Sequence, residues 1–279
     1  MKPVLLIMLL TLVMSENTFS QSKRPTFILV HGAWYGSFAW KKVTPLLEAK
    51  GYRVITLDLP GYGTDKQPLA NITLDDYVKK VAVISNAVEE KVILVGHSMG
   101  GAIITQASEL LGPEKVAKLI FLDAFLLKDG ESIFAQVEKM NEAGKDPENV
   151  KKKNLSADYL IFSKDGKYAT VPPVRMVEVF CHDCPPEDQA LINRDTVWQP
   201  VAALAAPVNV TDKRYGAIPK FFIQCTHARD LDRTSILQNV HCQKIYTIPS
   251  SHSPFFSMPD KLVSILDEIY KTPAVAVSQ

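Results

Sequence analysis

Hydrophobic and polar positions divide the chain into short apolar runs that alternate with stretches of helical spacing. Thr26 to Val30, Arg53 to Leu57, Val92 to Val95 and Val116 to Leu122 read as strands, the more continuous runs suiting strands buried on both faces. Between them, Trp40 to Lys50 has apolar residues at Val43, Leu46 and Leu47, with Gly51 as its stop. Leu74 to Val88 repeats apolar residues at Leu74, Tyr77, Val78, Val81, Ile84 and Val88, behind Thr73 as N-cap. A third helix runs from about Ala102 to Leu111. Strands alternating with helices over short connections predict a mostly parallel central sheet with helices on both faces.

The alternation stops between Ala124 and about Ala217. Ser132 to Asn141, Val174 to Phe180 and Glu187 to Arg194 read as helices, and Asp165-Gly166 marks a hairpin between Tyr159 to Phe162 and Tyr168 to Val171. It then resumes with strands at Lys220 to Thr226 and Lys244 to Ile248, and helices near Thr234 to Val240 and at Asp260 to Tyr270. A disordered tail is expected after that. The chain therefore divides into a leader at 1–20, a first core part at 21–123, an inserted cap at 124–217, and a second core part with the tail at 218–279.

Composition adds limits. The chain has 279 residues, of which 47% are apolar, enough for one large domain or two small ones. A formal net charge of +1 gives no reason to expect nucleic acid or an anionic membrane as partner. Met1 to about Ser20 has the pattern of a secretory signal peptide: Lys2, an apolar stretch from Val4 to Met14, then small residues at Ser15, Thr18 and Ser20. The stretch is short for a membrane span, so a secreted or periplasmic protein with no stable span after cleavage is expected. Of four cysteines, Cys181 and Cys184 form a C-x-x-C between prolines and charges. Structural thiols or one disulfide fit better than redox or metal chemistry, and no metal or cofactor is expected.

The candidate chemistry gathers where strands end. Gly96, Ser98 and Gly100 make a G-x-S-x-G between a buried strand and a helix, the turn that lifts a serine hydroxyl above a sheet. Ser98, Asp230 and His252 follow in the order nucleophile, acid, base, each after a predicted strand. A serine needs an imidazole to take its proton, and the imidazole needs a carboxylate to hold its tautomer. Asp230 is the favoured acid, with Asp232 and Asp123 as alternatives. The backbone N–H groups of Ala33 and Met99 would form an oxyanion hole. Trp34 and Phe125 are candidates to line the substrate pocket. His97 is expected to pack beside the serine, and His31 to shape the oxyanion loop.

The chain resembles the plant methylesterase and hydroxynitrile lyase group of α/β-hydrolases, with its bacterial esterase relatives. The likeness runs through Phe27-Ile-Leu-Val-His-Gly-Ala-Trp, Thr44-Pro-Leu-Leu-Glu, Val54-Ile-Thr-Leu-Asp-Leu and Gly96-His-Ser-Met-Gly-Gly. It continues in Tyr215-Gly-Ala-Ile-Pro-Lys-Phe-Phe-Ile-Gln-Cys-Thr and Ser251-His-Ser-Pro-Phe-Phe-Ser-Met-Pro-Asp-Lys-Leu. The resemblance implies an α/β-hydrolase fold, Ser98 as nucleophile, His252 as base, and Ala33 and Met99 as oxyanion donors. It favours Asp230, because Gln238 lies at the family's usual distance beyond the acid, although the stretch before Asp230 is longer than usual. The lyases carry threonine where this chain has Gly32 and lysine where it has Ser253, which argues for hydrolysis.

These readings converge on a serine hydrolase that cleaves a carboxylic ester of a small to medium, partly apolar substrate through an acyl-enzyme. The alternatives, in order, are a lactonase or other acyl hydrolase, a hydroxynitrile lyase, and a non-catalytic receptor for a small ligand. The expected partner is the small-molecule ester, and a homodimer is compatible with the sequence.

Overall fold

The computed structural model describes residues 26–65, 67–143, 160–194 and 198–273. Its centre is a six-stranded sheet, all parallel, in the order β2-β1-β3-β4-β8-β9. These strands are β1 (Thr26–Val30), β2 (Arg53–Thr56), β3 (Val92–His97), β4 (Val116–Leu122), β8 (Lys220–Cys225) and β9 (Lys244–Ile248). Side chains alternate across β1: Ile28 and Val30 enter one apolar cluster, Phe27 and Leu29 the other. Both faces are therefore covered, which is why the central strands are mostly apolar.

The helices follow from the same pattern. α1 (Val43–Ala49) begins later than the sequence predicts, because Ser37–Trp40 forms a separate 3₁₀ turn. α2 (Leu74–Asn86) opens on a reciprocal cap between Thr73 and Asp76, satisfying N–H groups that its first turn leaves free. α3 (Gly100–Leu111) starts immediately after the β3 turn. α9 (Pro259–Lys271) ends on Lys118 of β4, whose buried Nζ donates to the carbonyls of Ile269, Tyr270 and Thr272 at 2.6–2.8 Å. A cation there completes the helix's free carbonyls and meets the negative end of its dipole. The helix expected near Thr234 to Val240 is only a 3₁₀ turn at Arg233–Ile236, opened by Asp232, whose carboxylate accepts from the Thr234 N–H at 3.0 Å.

Between β4 and β8 the chain leaves the sheet. This segment contains α4 (Ile133–Ala143), α5 (Pro173–Phe180), α6 (Pro186–Arg194) and α7 (Val201–Ala205). It also contains a small antiparallel sheet of β5 (Ile161–Phe162), β6 (Tyr168–Thr170) and β7 (Gln199–Pro200). The Asp165-Gly166 hairpin forms, with Gly166 at φ 70°. β7, α7 and the one-turn α8 (Pro254–Ser257) carry no periodicity long enough to read from sequence. The segment is tied down by buried polar contacts. Asp188 of α6 is fully buried against Lys41, at 2.7 Å, and Lys42. Gln199 meets the hydroxyls of Tyr62 and Tyr77 beneath β7.

Cys181 and Cys184 are joined by a disulfide, while Cys225 and Cys242 are free. No helix among the described residues is long and apolar enough to cross a membrane. The leader at 1–20 and the expected tail disorder at 274–279 lie outside the described residues.

Candidate active site

Among the described residues, three non-glycine residues have left-handed backbone: Trp34 (φ 63°), Ser98 (φ 54°) and Asp123 (φ 44°). They follow β1, β3 and β4 at the carboxyl edge of the sheet, where open α/β sheets bind ligands. Such strain persists only where the surroundings enforce it. At Ser98 they do so through the main chain: its N–H donates to Leu122 at 3.3 Å, and its carbonyl accepts from Phe125 at 3.1 Å. The turn leaves no room for a side chain at Gly96, where a Cβ would fall 2.5 Å from the Gly100 carbonyl oxygen.

The loop after β1 is shaped by His31. The Leu59 N–H donates to its Nε2 at 3.2 Å, so Nδ1 carries the proton and donates to the Gly32 carbonyl at 2.8 Å. Burial drives the His31 pKa down to about 4, so the ring is neutral at physiological pH. In a trans peptide the C=O and N–H point in opposite directions. Fastening the Gly32 carbonyl therefore turns the Ala33 N–H the other way. Met99 supplies the N–H immediately before α3, where helix N–H groups are free and the dipole is positive.

His252 follows β9 and is 1% exposed. Its Nδ1 lies 2.6 Å from Asp123 Oδ2 and 3.6 Å from Asp230 Oδ2. The sequence favours Asp230 as its partner, yet the hydrogen bond is made by Asp123. Both Asp230 oxygens are taken by Arg233, whose Nη1 donates at 3.0 Å and Nη2 at 2.6 Å. The carboxylate of Asp123 only accepts, so Nδ1 of the neutral ring carries the proton and Nε2 is left as the basic nitrogen. Asp123, Asp230 and His252 could form a cation site, but Arg233 supplies the positive charge between the two carboxylates. Asp232 caps its own turn instead.

His97 lies beside the imidazole, ring centroids 4.4 Å apart, and its Nε2 donates to the His252 carbonyl at 2.9 Å. Burial, then the proximity of His252, holds its pKa well below the usual value. Ser253 is also buried, paired with the Tyr35 hydroxyl at 2.8 Å.

Ser98, Ala33 and Met99 share a cavity of about 100 Å³ with Trp34, Phe125 and Asp230. The rest of its wall is apolar, including Phe134, Phe180, Leu204 and Leu231. Trp34 and Phe125 thus both line this cavity. Trp34 also reaches the intervening segment, donating from Nε1 to the Ala169 carbonyl at 3.1 Å. Sequence reasoning missed Arg233, Phe180 and Leu204. A charged residue among Arg229, Asp230 and Asp232 reads as part of a solvated face, and no local pattern tells an apolar pocket residue from core.

The chain belongs to the alpha/beta hydrolase family, whose profile matches residues 27–265. Among curated relatives, putative methylesterase 15 of Arabidopsis thaliana is 32% identical over 269 residues, covering 91% of this chain and 58% of its own length. Salicylic acid-binding protein 2 of Nicotiana tabacum is 31% identical over 257 residues, covering 87% of this chain and 96% of its own. Among solved structures, polyneuridine aldehyde esterase superposes with a TM-score of 0.75 at 26% identity, covering 88% of this chain and 99% of that one. The chain spans just under three-fifths of methylesterases 15 and 13, at 58% and 59%. These relatives also correct the expectation of a secreted or periplasmic protein: methylesterases 15, 13 and 14 are named chloroplastic.

Proposed function

We propose that the protein is a serine hydrolase of carboxylic esters, acting on a small ester with an apolar acyl group. One observation carries this reading: strained Ser98 opens into an apolar cavity walled by the two residues suited to donate an oxyanion hole. In this reading Ser98 Oγ attacks the ester carbonyl while His252 Nε2 takes its proton. The developing oxyanion accepts from the N–H groups of Ala33 and Met99, each worth on the order of 100- to 1,000-fold in rate. His252 then protonates the leaving alcohol, and water activated by the same nitrogen releases the acid.

Asp123 serves as the acid, because it is the carboxylate within hydrogen-bonding distance of Nδ1. The segment 124–217 serves as a cap in this reading, with its described residues Phe134, Phe180 and Leu204 on the cavity wall shared with Ser98. The cavity of about 100 Å³ lies below the usual range for drug-sized sites, so the acyl group is small. The names of the relatives suggest a methyl ester. Buried Ser253, and a Gly32 whose notional Cβ would lie 2.8 Å from Ser98 Cβ, favour hydrolysis over cyanohydrin cleavage.

The test is turnover of methyl and p-nitrophenyl esters of short and medium acids by the protein and by Ser98→Ala. The protein should turn over short esters and take label from a serine-reactive phosphonate. Ser98→Ala should lose on the order of a million-fold in turnover, by analogy with triad knockouts in another serine enzyme. Turnover surviving in Ser98→Ala would overturn the mechanism.

A further inference from the structure

Two buried carboxylates, Asp123 and Asp230, approach one imidazole nitrogen, and a single arginine stands between them. Arg233 is almost wholly enclosed. It grips Asp230 through two parallel hydrogen bonds, and its Nη1 lies 3.0 Å from Asp123 Oδ2. The grip is asymmetric. Asp230 has both oxygens committed to the guanidinium, whereas Asp123 keeps Oδ2 for His252 and accepts the Cys225 N–H on Oδ1 at 3.1 Å. A bidentate pair of this kind fixes orientation as well as charge.

We propose that Arg233 is a positioning residue that neutralises Asp230 and so leaves Asp123 as the one effective carboxylate of the base. The proposal rests on the hydrolase reading above. Two carboxylates and one guanidinium leave a single net negative charge beside the imidazole, as one triad aspartate would. Without the guanidinium, two like charges would face one imidazole in a single buried site, an arrangement that raises the affinity of that imidazole for a proton. Burial alone would keep Asp230 protonated, but Arg233 and then His252 outweigh it, so its carboxyl ionises below the usual range. Arg233 is correspondingly held protonated by Asp123 and Asp230 against the cost of its burial.

Other titratable groups touch this cluster from every side. His97 faces it from β3, Cys225 from β8, Tyr35 from the loop after β1, and Asp183 from the loop after α5. Burial keeps His97, Cys225 and Tyr35 uncharged near neutral pH, and Asp183 is unchanged in every variant below.

The experiment is the pH profile of kcat/KM on the ester that the protein hydrolyses. Arg233→Met adds net negative charge beside the imidazole and should move the acidic limb up by about one pH unit or more. Asp230→Asn removes negative charge and should move the limb down. Asp230→Asn combined with Arg233→Met restores the net charge, and its limb should return to the wild-type position. Arg233→Lys should keep the limb in place while losing the bidentate orientation, seen as a lower kcat at unchanged KM. An unmoved limb in Asp230→Asn, or a double variant displaced as far as Arg233→Met, would overturn the proposal. If Arg233→Met fails to fold, the Asp230→Asn and double variants decide alone. Inactive wild-type protein, or an active Ser98→Ala, would instead sink the hydrolase reading itself.

Discussion

Asp123 Oδ2 lies 2.6 Å from His252 Nδ1, across the end of a sheet in which β4 and β9 are not neighbours. Asp123 reaches it because its left-handed backbone, φ 44°, turns the chain at the end of β4. Asparagine at this position would offer an amide NH₂ that donates to Nδ1 and leaves the proton on Nε2. Asp123→Asn should therefore lower kcat by about 10⁴-fold, the scale of the equivalent change in a known triad. Steady-state kinetics beside Asp230→Asn checks it: a smaller loss in Asp123→Asn than in Asp230→Asn would reverse the assignment of the acid.

Gly32 lies where the loop after β1 meets Ser98. A Cβ there would fall 2.8 Å from Ser98 Cβ and 2.9 Å from His97 Nδ1. Neither neighbour can retreat, because Ser98 is pinned by its main chain and His97 is held by the His252 carbonyl. Gly32→Ala should displace the Ala33 N–H and cost about 100-fold in kcat, the effect of losing one oxyanion donor. Phosphonate labelling in place of ester turnover should fall in parallel. Full-rate labelling would show that the loop adjusts.

Buried His31 and His97 make stability depend on pH. Both have folded pKa values below that of the unfolded chain, His31 at about 4, with burial as the leading cause. Below about pH 6.5 the unfolded chain binds protons that the native rings refuse, so stability falls as pH drops toward the folded values. The slope is at most about 1.4 kcal/mol per pH unit for each histidine. Urea midpoints between about pH 7.5 and 5, above most carboxylate titration, should fall, and His31→Asn should flatten the curve. Equal slopes in the two proteins would refute the role of His31.

Phe134 is a half-buried residue of α4 on the cavity wall, so shortening it should enlarge the pocket more than it damages the core. Phe134→Ala should shift kcat/KM about 10-fold toward longer acyl chains, since one methylene in an apolar pocket is worth ~1–3 kcal/mol. A series of p-nitrophenyl esters reads this as a ratio, independent of enzyme concentration. An unchanged ratio would place the acyl group elsewhere.

The sheet was legible because its inner strands are buried on both faces and so carry apolar runs, as in Val92–Val95 and Leu119–Leu122. Ser98 was legible because close packing at Gly96 and Gly100 leaves a local signature. The partner of His252 was not. Asp123 directly follows β4 and Asp230 lies in the loop after β8, and sequence cannot show that Arg233 turns back to occupy one of them. The longer stretch before Asp230 was the one visible sign of a departure there. The helix expected after Asp230 failed for a related reason, since Arg233 is spent on a buried ion pair and only one 3₁₀ turn follows.

Asp183 lies inside the four-residue loop closed by the Cys181–Cys184 disulfide. Its Oδ2 accepts the Ser251 N–H at 2.8 Å, one residue before His252, and the ring of Phe180 packs 5.4 Å from the His252 ring. The disulfide therefore closes a loop that braces the backbone carrying the imidazole. Asp183→Ala would leave a buried N–H without an acceptor, at a cost of about 1–3 kcal/mol. It should lower Tm and reduce kcat about 10-fold with little change in KM, because misplacing a catalytic group penalises the transition state. Asp183→Asn keeps an acceptor oxygen and should recover most of both. Replacing Cys181 and Cys184 by serine should give the same kcat-weighted loss, since the opened loop no longer holds Asp183 in place. A change confined to KM in either variant would mean that the loop shapes the cavity instead of bracing the base.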